Sequence, residues 1–229
     1  LLTFVGVAGT GVQMALLSIN WHGMDFERGL RILRSSLDAA SAALESNRVE
    51  TKQRWDDYEQ AAADSGTPDV VWEDDIKVWD RSMAFEDELM MIHETGDIMR
   101  KAHVIAVYHL WERVVASWTT APGRPDHEKL VGLLRSKGIT VHSRMAAIRD
   151  LNNALKHNSE KYGAALVKSW PELFTDRFRA TIDARLEKIR ADPASPRVDW
   201  HEAITISPNR MDEVLEAVRQ SGPVWGREG

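Results

Sequence analysis

Apolar residues in this chain recur at helical spacing over long uninterrupted runs, and that limits the folds open to it. Phe26, Leu30, Leu33, Leu37, Ala40 and Leu44 step by four and three residues, which lays one seam along a helix. Arg48, Thr51, Trp55, Tyr58 and Ala62 continue the steps, so the first helix is expected to reach about Ala63. Asp64-Ser-Gly-Thr-Pro-Asp69 then breaks it. A second long helix is expected from about Glu73 to Trp118, with Met91, Ile98, Ile105, Tyr108 and Val115 on its buried face. Gly96 offers it a kink or a close helix crossing.

Shorter helices follow. Asp126 can cap one that ends near Lys137, with Gly138 as its stop. Thr140 or Val141 opens another that ends near Asn158. A short helix covers Ala164 to Ser169. Pro171 starts one that turns Phe174, Phe178, Ile182, Leu186 and Ile189 inward. Ala203-Ile-Thr-Ile206 reads as a short strand or an extended link, and Ser207-Pro208 opens a last helix that Gly222-Pro223 ends. Long helices joined by short loops predict an all-α antiparallel helical bundle with at most one short strand near the C-terminus.

Hydrophobic residues make up 43% of the 229 and charged residues 28%, a globular rather than a disordered balance. There is no cysteine, which excludes disulfides, thiolate catalysis and Cys-ligated zinc, and fits a reducing, cytoplasmic setting. Nine tryptophans suit a large core or a flat contact surface.

Residues 1–24 carry no formal charge. They admit three readings: a membrane helix or uncleaved signal, a strand entering the glycine-rich turn Gly6-Val-Ala-Gly9-Thr-Gly11, or an appendage. The dinucleotide fingerprint counted from Gly9 fails at Met14, and no alternating strands and helices follow. Gly6, Gly9, Gly11 and Gln13 interrupt the apolar run, and no Lys or Arg flanks it. Met24-Asp25-Phe26-Glu27 looks like the start of an amphipathic helix. The expected organisation is an apolar N-terminal appendage at 1–23, one helical domain at 24–222 and a tail at 223–229, with no stable membrane association.

The net charge of −6 is unevenly spread. From Asp56 to Glu94, thirteen Asp/Glu face two Lys/Arg; from Ala121 to Lys161, eight Lys/Arg face four Asp/Glu. The basic stretch holds the most site-like helix. There Val141, Met145, Ile148, Asn152 and Leu155 share a seam, and the amide of Asn152 needs a hydrogen-bond partner if buried. Beside the seam, Arg149, Asn153, Lys156 and His157 fall within about a third of the helix circumference. Arg and Lys can hold phosphate oxygens, and His can move a proton near neutral pH. The same cations also complement the helix dipole at its C-terminal end. Glu112 interrupts an apolar face, and Arg149 or Lys156 is its expected partner.

Other chemistry finds little. No HExxH, ExxH, GxSxG or GxxxxGK[ST] occurs. His109 and Glu112, three residues apart, supply only two metal ligands. No cofactor is expected.

Tyr108-His-Leu-Trp-Glu-Arg113 followed by Ile148-Arg-Asp-Leu-Asn-Asn-Ala-Leu-Lys-His157 resembles the HEPN superfamily, over about Asp75 to Gln220. Trp170-Pro-Glu-Leu-Phe174 and Ile204-Thr-Ile-Ser-Pro208 add to the likeness. The resemblance implies an all-α bundle that forms a homodimer and cuts RNA without metal, with the signature Arg and His of two protomers lining one cleft. Many members are toxins or phage-defence effectors; others keep the fold without activity. RNA or a nucleotide is the implied ligand, and a protein antitoxin an implied partner of a toxin. By the same resemblance Arg149 and His157 are catalytic, Asn152, Asn153 and Lys156 contact substrate, and Glu112 and Arg113 support them. The chain departs from the pattern at one point: with Asn153 in its usual place, the signature Arg position is Asn152, and Arg149 lies one helical turn earlier.

Overall fold

The computed structural model describes residues 20–66, 69–192 and 194–224. The expected appendage lies outside them, except for Asn20–Gly23, and so does most of the expected tail. Among the described residues the chain forms eight α-helices and one two-stranded sheet, an all-α architecture. No helix among them is long and apolar enough to cross a membrane.

Helix α1 (Trp21–Ser65) starts at Asn20, whose side chain accepts the Gly23 N–H, and ends where Gly66 takes a left-handed φ of 68°. Strands β1 (Val70–Glu73) and β2 (Ile76–Asp80) then form an antiparallel hairpin. The second long helix, expected from Glu73, therefore begins only at Arg81. The cause is local. Asp74 and Asp75 both adopt positive φ, 47° and 62°, the backbone a tight hairpin turn requires, and Val70-Val71-Trp72 is β-prone.

Helix α2 (Arg81–Trp118) is capped by Asp80, which accepts the Met83 N–H. Helices α1 and α2 lie side by side, but only their far halves join the core. In α2, Phe85 is the one residue buried before Gly96, and beyond Leu37 α1 buries only Thr51. Phe85 is stacked by Trp55, with Tyr58 tilted against it.

The core forms where the C-terminal half of α2 meets α3 (His127–Ser136), α4 (Met145–His157) and α8 (Pro208–Gln220). Val104, Val107, Tyr108, Trp111 and Val115 face Met145, Ile148, Leu151, Val214 and Val218 in one cluster. Helices α5 (Glu160–Ser169), α6 (Asp176–Ala191) and α7 (Trp200–Ala203) extend it. Trp200 meets Phe174 and Phe178 edge-on. Of the two readings of 203–206, the extended link holds: Ala203 ends α7, and the link's Thr205 N–H donates to the Leu173 carbonyl. Its Ile206 N–H is accepted by Asp97, and the His201 carbonyl accepts from Lys101 Nζ.

Gly163 lets α5 sit directly on Trp200, because a Cβ there would land inside the indole. An exposed helical Gly→Ala change normally gains up to about 1 kcal/mol, whereas overpacking a closed core costs about 1–3 kcal/mol. Gly163→Ala is therefore expected to destabilise, while Gly132→Ala in α3, with nothing within 4 Å of the added carbon, is expected to stabilise. Urea denaturation of the two variants should give midpoints on opposite sides of the wild type's. Equal shifts would refute the close packing.

Candidate functional site

Helix α4 starts at Met145, one turn later than the sequence suggests. His142 N–H donates to Ser221 Oγ, Arg144 N–H donates to His142 Nδ1, and Met145 N–H donates to the His142 carbonyl. These bonds hold residues 142–144 in a turn rather than a helix. The far end matches expectation: Asn158 takes φ 48°, and its side-chain oxygen accepts the Trp200 N–H at 2.7 Å.

The four polar residues expected to converge separate into two places. Arg149 and Asn153 face a cleft of about 450 Å³ that Tyr108, Glu112, His127, Lys161 and Tyr162 also line. Arg149 is engaged there: Nε donates to Asp150 at 2.9 Å and Nη1 to Glu128 at 2.6 Å. Four carboxylates (Glu112, Asp126, Glu128 and Asp150) line this cleft against the two cations Arg149 and Lys161. A phosphate entering it would displace existing ion pairs and meet a negative field. Asn152 is 2% exposed, and its Oδ1 has no hydrogen-bond partner among the described residues. It faces the core, so it is not placed to touch a ligand at the surface.

Lys156 and His157 stand exposed at the end of α4. Lys156 Nζ lies 3.2 Å from His109 Nε2, and His109 Nδ1 lies 3.0 Å from Glu112 Oε2. An ammonium can only donate, so Nε2 accepts and Nδ1 carries the proton given to Glu112. Glu112 thus finds its partner in His109 on its own helix and reaches Lys156 only through that ring. Arg113 is exposed and borders, with His109, a groove lined by Gly29, Ile32 and Ala106. On this face Lys156 and His109 stand without the ring of four carboxylates that surrounds Arg149 and Lys161 in the cleft. The sequence offered His109 only as half of a metal pair with Glu112. Nothing in its spacing revealed that Lys156 would sit on its free nitrogen.

In the wall of the cleft, Tyr108 Oη and His127 Nδ1 form a 2.9 Å hydrogen bond, and the His127 ring packs on Trp111. Burial, aided by the charge of Arg149, pushes the His127 imidazole down to about 4, and burial raises the Tyr108 hydroxyl. In the unfolded chain His127 binds its proton near pH 6.5. Between pH 6.5 and about 4 the unfolded state therefore holds the extra proton, and stability falls as the pH is lowered through that window. The expected loss is as much as about 3 kcal/mol. Urea unfolding at pH 7 and pH 4.5 should show a smaller loss in His127→Gln than in the wild type, and an identical loss in both would refute the assignment.

Comparison of the chain with protein-family models, curated proteins and solved structures gives no match.

Proposed function

We propose that this chain is a HEPN-type, metal-independent endoribonuclease acting as a homodimer, with its working groups at the exposed end of α4. The observation that carries the reading is the string Glu112–His109–Lys156, with the exposed His157 next to Lys156 in sequence at the last residue of α4. Lys156 would hold a phosphate oxygen, with Arg113 adding charge nearby. Glu112 orients His109, which in turn positions Lys156. His157 would take the proton of the ribose 2′-hydroxyl as that oxygen attacks the adjacent phosphorus. The bond from phosphorus to the 5′-oxygen breaks, and the leaving oxygen takes a proton from the imidazolium of the second protomer. The products are a 2′,3′-cyclic phosphate and a 5′-hydroxyl. Arg149, held by Asp150 and Glu128, has a positioning part in this scheme. A role as a cytoplasmic toxin or phage-defence effector follows from the resemblance.

The direct test is RNA incubated with the protein in excess chelator. Cyclic-phosphate ends support the reading. Intact RNA at high protein excess, from material with the helical circular dichroism expected of this fold, rejects it.

A second reading is favoured by the burial of Asn152 at the signature Arg position and by the engagement of Arg149. In it, the chain is a non-catalytic HEPN-like module that binds RNA, a nucleotide or a protein partner. The same incubation would then show binding that salt weakens, with no product.

A further inference from the structure

The outer face of α2 carries an apolar stripe that no described part of the chain covers. Met83, Met90, Met91 and Ile98 are 44%, 54%, 59% and 57% exposed. At 100° per residue they fall, together with Asp87 and Glu94, within about 100° of the helix circumference and along about 22 Å of its length. Sequence periodicity assigns Met91 and Ile98 to the buried face. In the fold, the bundle reaches only the other half of this helix, so these side chains face outward. Four large apolar groups in line form an unusual surface for an exposed helix.

Charge decides what can lie on it. Thirteen acidic residues against two basic ones fill the stretch from Asp56 to Glu94, and Asp87 and Glu94 interrupt the stripe itself, both exposed. A nucleic acid or an anionic bilayer is repelled by such a field. A second copy of the stripe would bring these carboxylates against their own kind. An amphipathic helix with one apolar and one basic face meets both requirements. Its apolar side rests on unbranched methionines that adapt to the shape presented, and its Lys or Arg side chains pair with Asp87 and Glu94.

We infer that this stripe docks a basic amphipathic helix of another protein, independently of the nuclease reading. The test is calorimetric titration of the full chain with a synthetic Leu/Lys peptide whose leucines follow helical spacing. The comparison is a peptide of the same composition, shuffled so that no face is apolar. The patterned peptide is expected to bind at least about tenfold more tightly than the shuffled one. Met90→Ser with Met91→Ser should remove about tenfold of that affinity with helical circular dichroism unchanged, because both side chains are exposed. Asp87→Lys with Glu94→Lys should weaken binding by a similar factor and flatten its salt dependence. Equal binding of the two peptides, or affinity untouched by both double variants, overturns the inference. So does a dimer seen by sedimentation that Met90→Ser with Met91→Ser dissolves, since that assigns the face to a second copy.

Discussion

His157→Ala is expected to lower RNA cleavage in chelator by about 10²–10⁴-fold, the usual contribution of a positioned acid–base group. The side chain is exposed at the last residue of α4, so thermal stability should stay near that of the wild type and a lost rate cannot be blamed on unfolding. Lys156→Ala should act differently. Removing a group that holds phosphate in ground and transition states raises KM more than it lowers kcat. It also frees His109 Nε2, which Lys156 now occupies. Arg149→Ala should register mainly as lost stability, because its guanidinium joins α4 to Glu128 of α3. Cleavage by His157→Ala at the wild-type rate would remove this imidazole from the reaction. Fast cleavage by Lys156→Ala together with inactivity of Arg149→Ala would move the working site into the acidic cleft.

The second large effect is structural. Trp111→Ala is expected to cost about 3–5 kcal/mol, which lowers Tm by roughly 6–20 °C in a chain of this length. Trp111 is completely buried, lies against Tyr108 and His127, and donates its indole N–H to the Ser221 carbonyl at 2.6 Å. Ser221 Oγ in turn accepts the His142 N–H, so one tryptophan links α2, the end of α8 and the turn that starts α4. Trp111→Phe keeps most of the apolar area but leaves that carbonyl without its donor, for a smaller cost of about 1–3 kcal/mol. Denaturant titration separates the two variants. Equal losses in both would mean that the hydrogen bond, not the packing, dominates.

Several elements were legible before any tertiary information. The seam from Phe26 to Leu44 lies on α1 as expected, although that helix begins at Trp21, three residues before the expected start at Met24; Asp126 capped α3, and Ser207-Pro208 opened α8 where expected. Each is a local matter: a side chain bonds its own helix end, or repeats at the helix period, whatever lies nearby. The hairpin at Val70–Asp80 was also encoded locally, in Asp74-Asp75 and the β-prone residues before it, but the long helical pattern after it masked the signal.

The site was only half legible. Arg149, Asn153, Lys156 and His157 do share one side of α4, as helical geometry requires. Their separation into an acidic cleft and a basic surface comes from residues far away in sequence: Glu128 draws Arg149 one way, and His109 draws Lys156 the other. The period of an apolar pattern likewise says that a helix has a face, but only a neighbouring helix says which face is covered. That is why Met91 and Ile98 were read as core and stand in solvent. By itself the sequence determined the helices, most of their ends and the residue types available for chemistry, because these depend on bonds within a few residues. Tertiary structure alone decided which charges neutralise one another and which apolar side chains remain exposed, because burial and ion pairing depend on what the rest of the chain brings within a few ångströms.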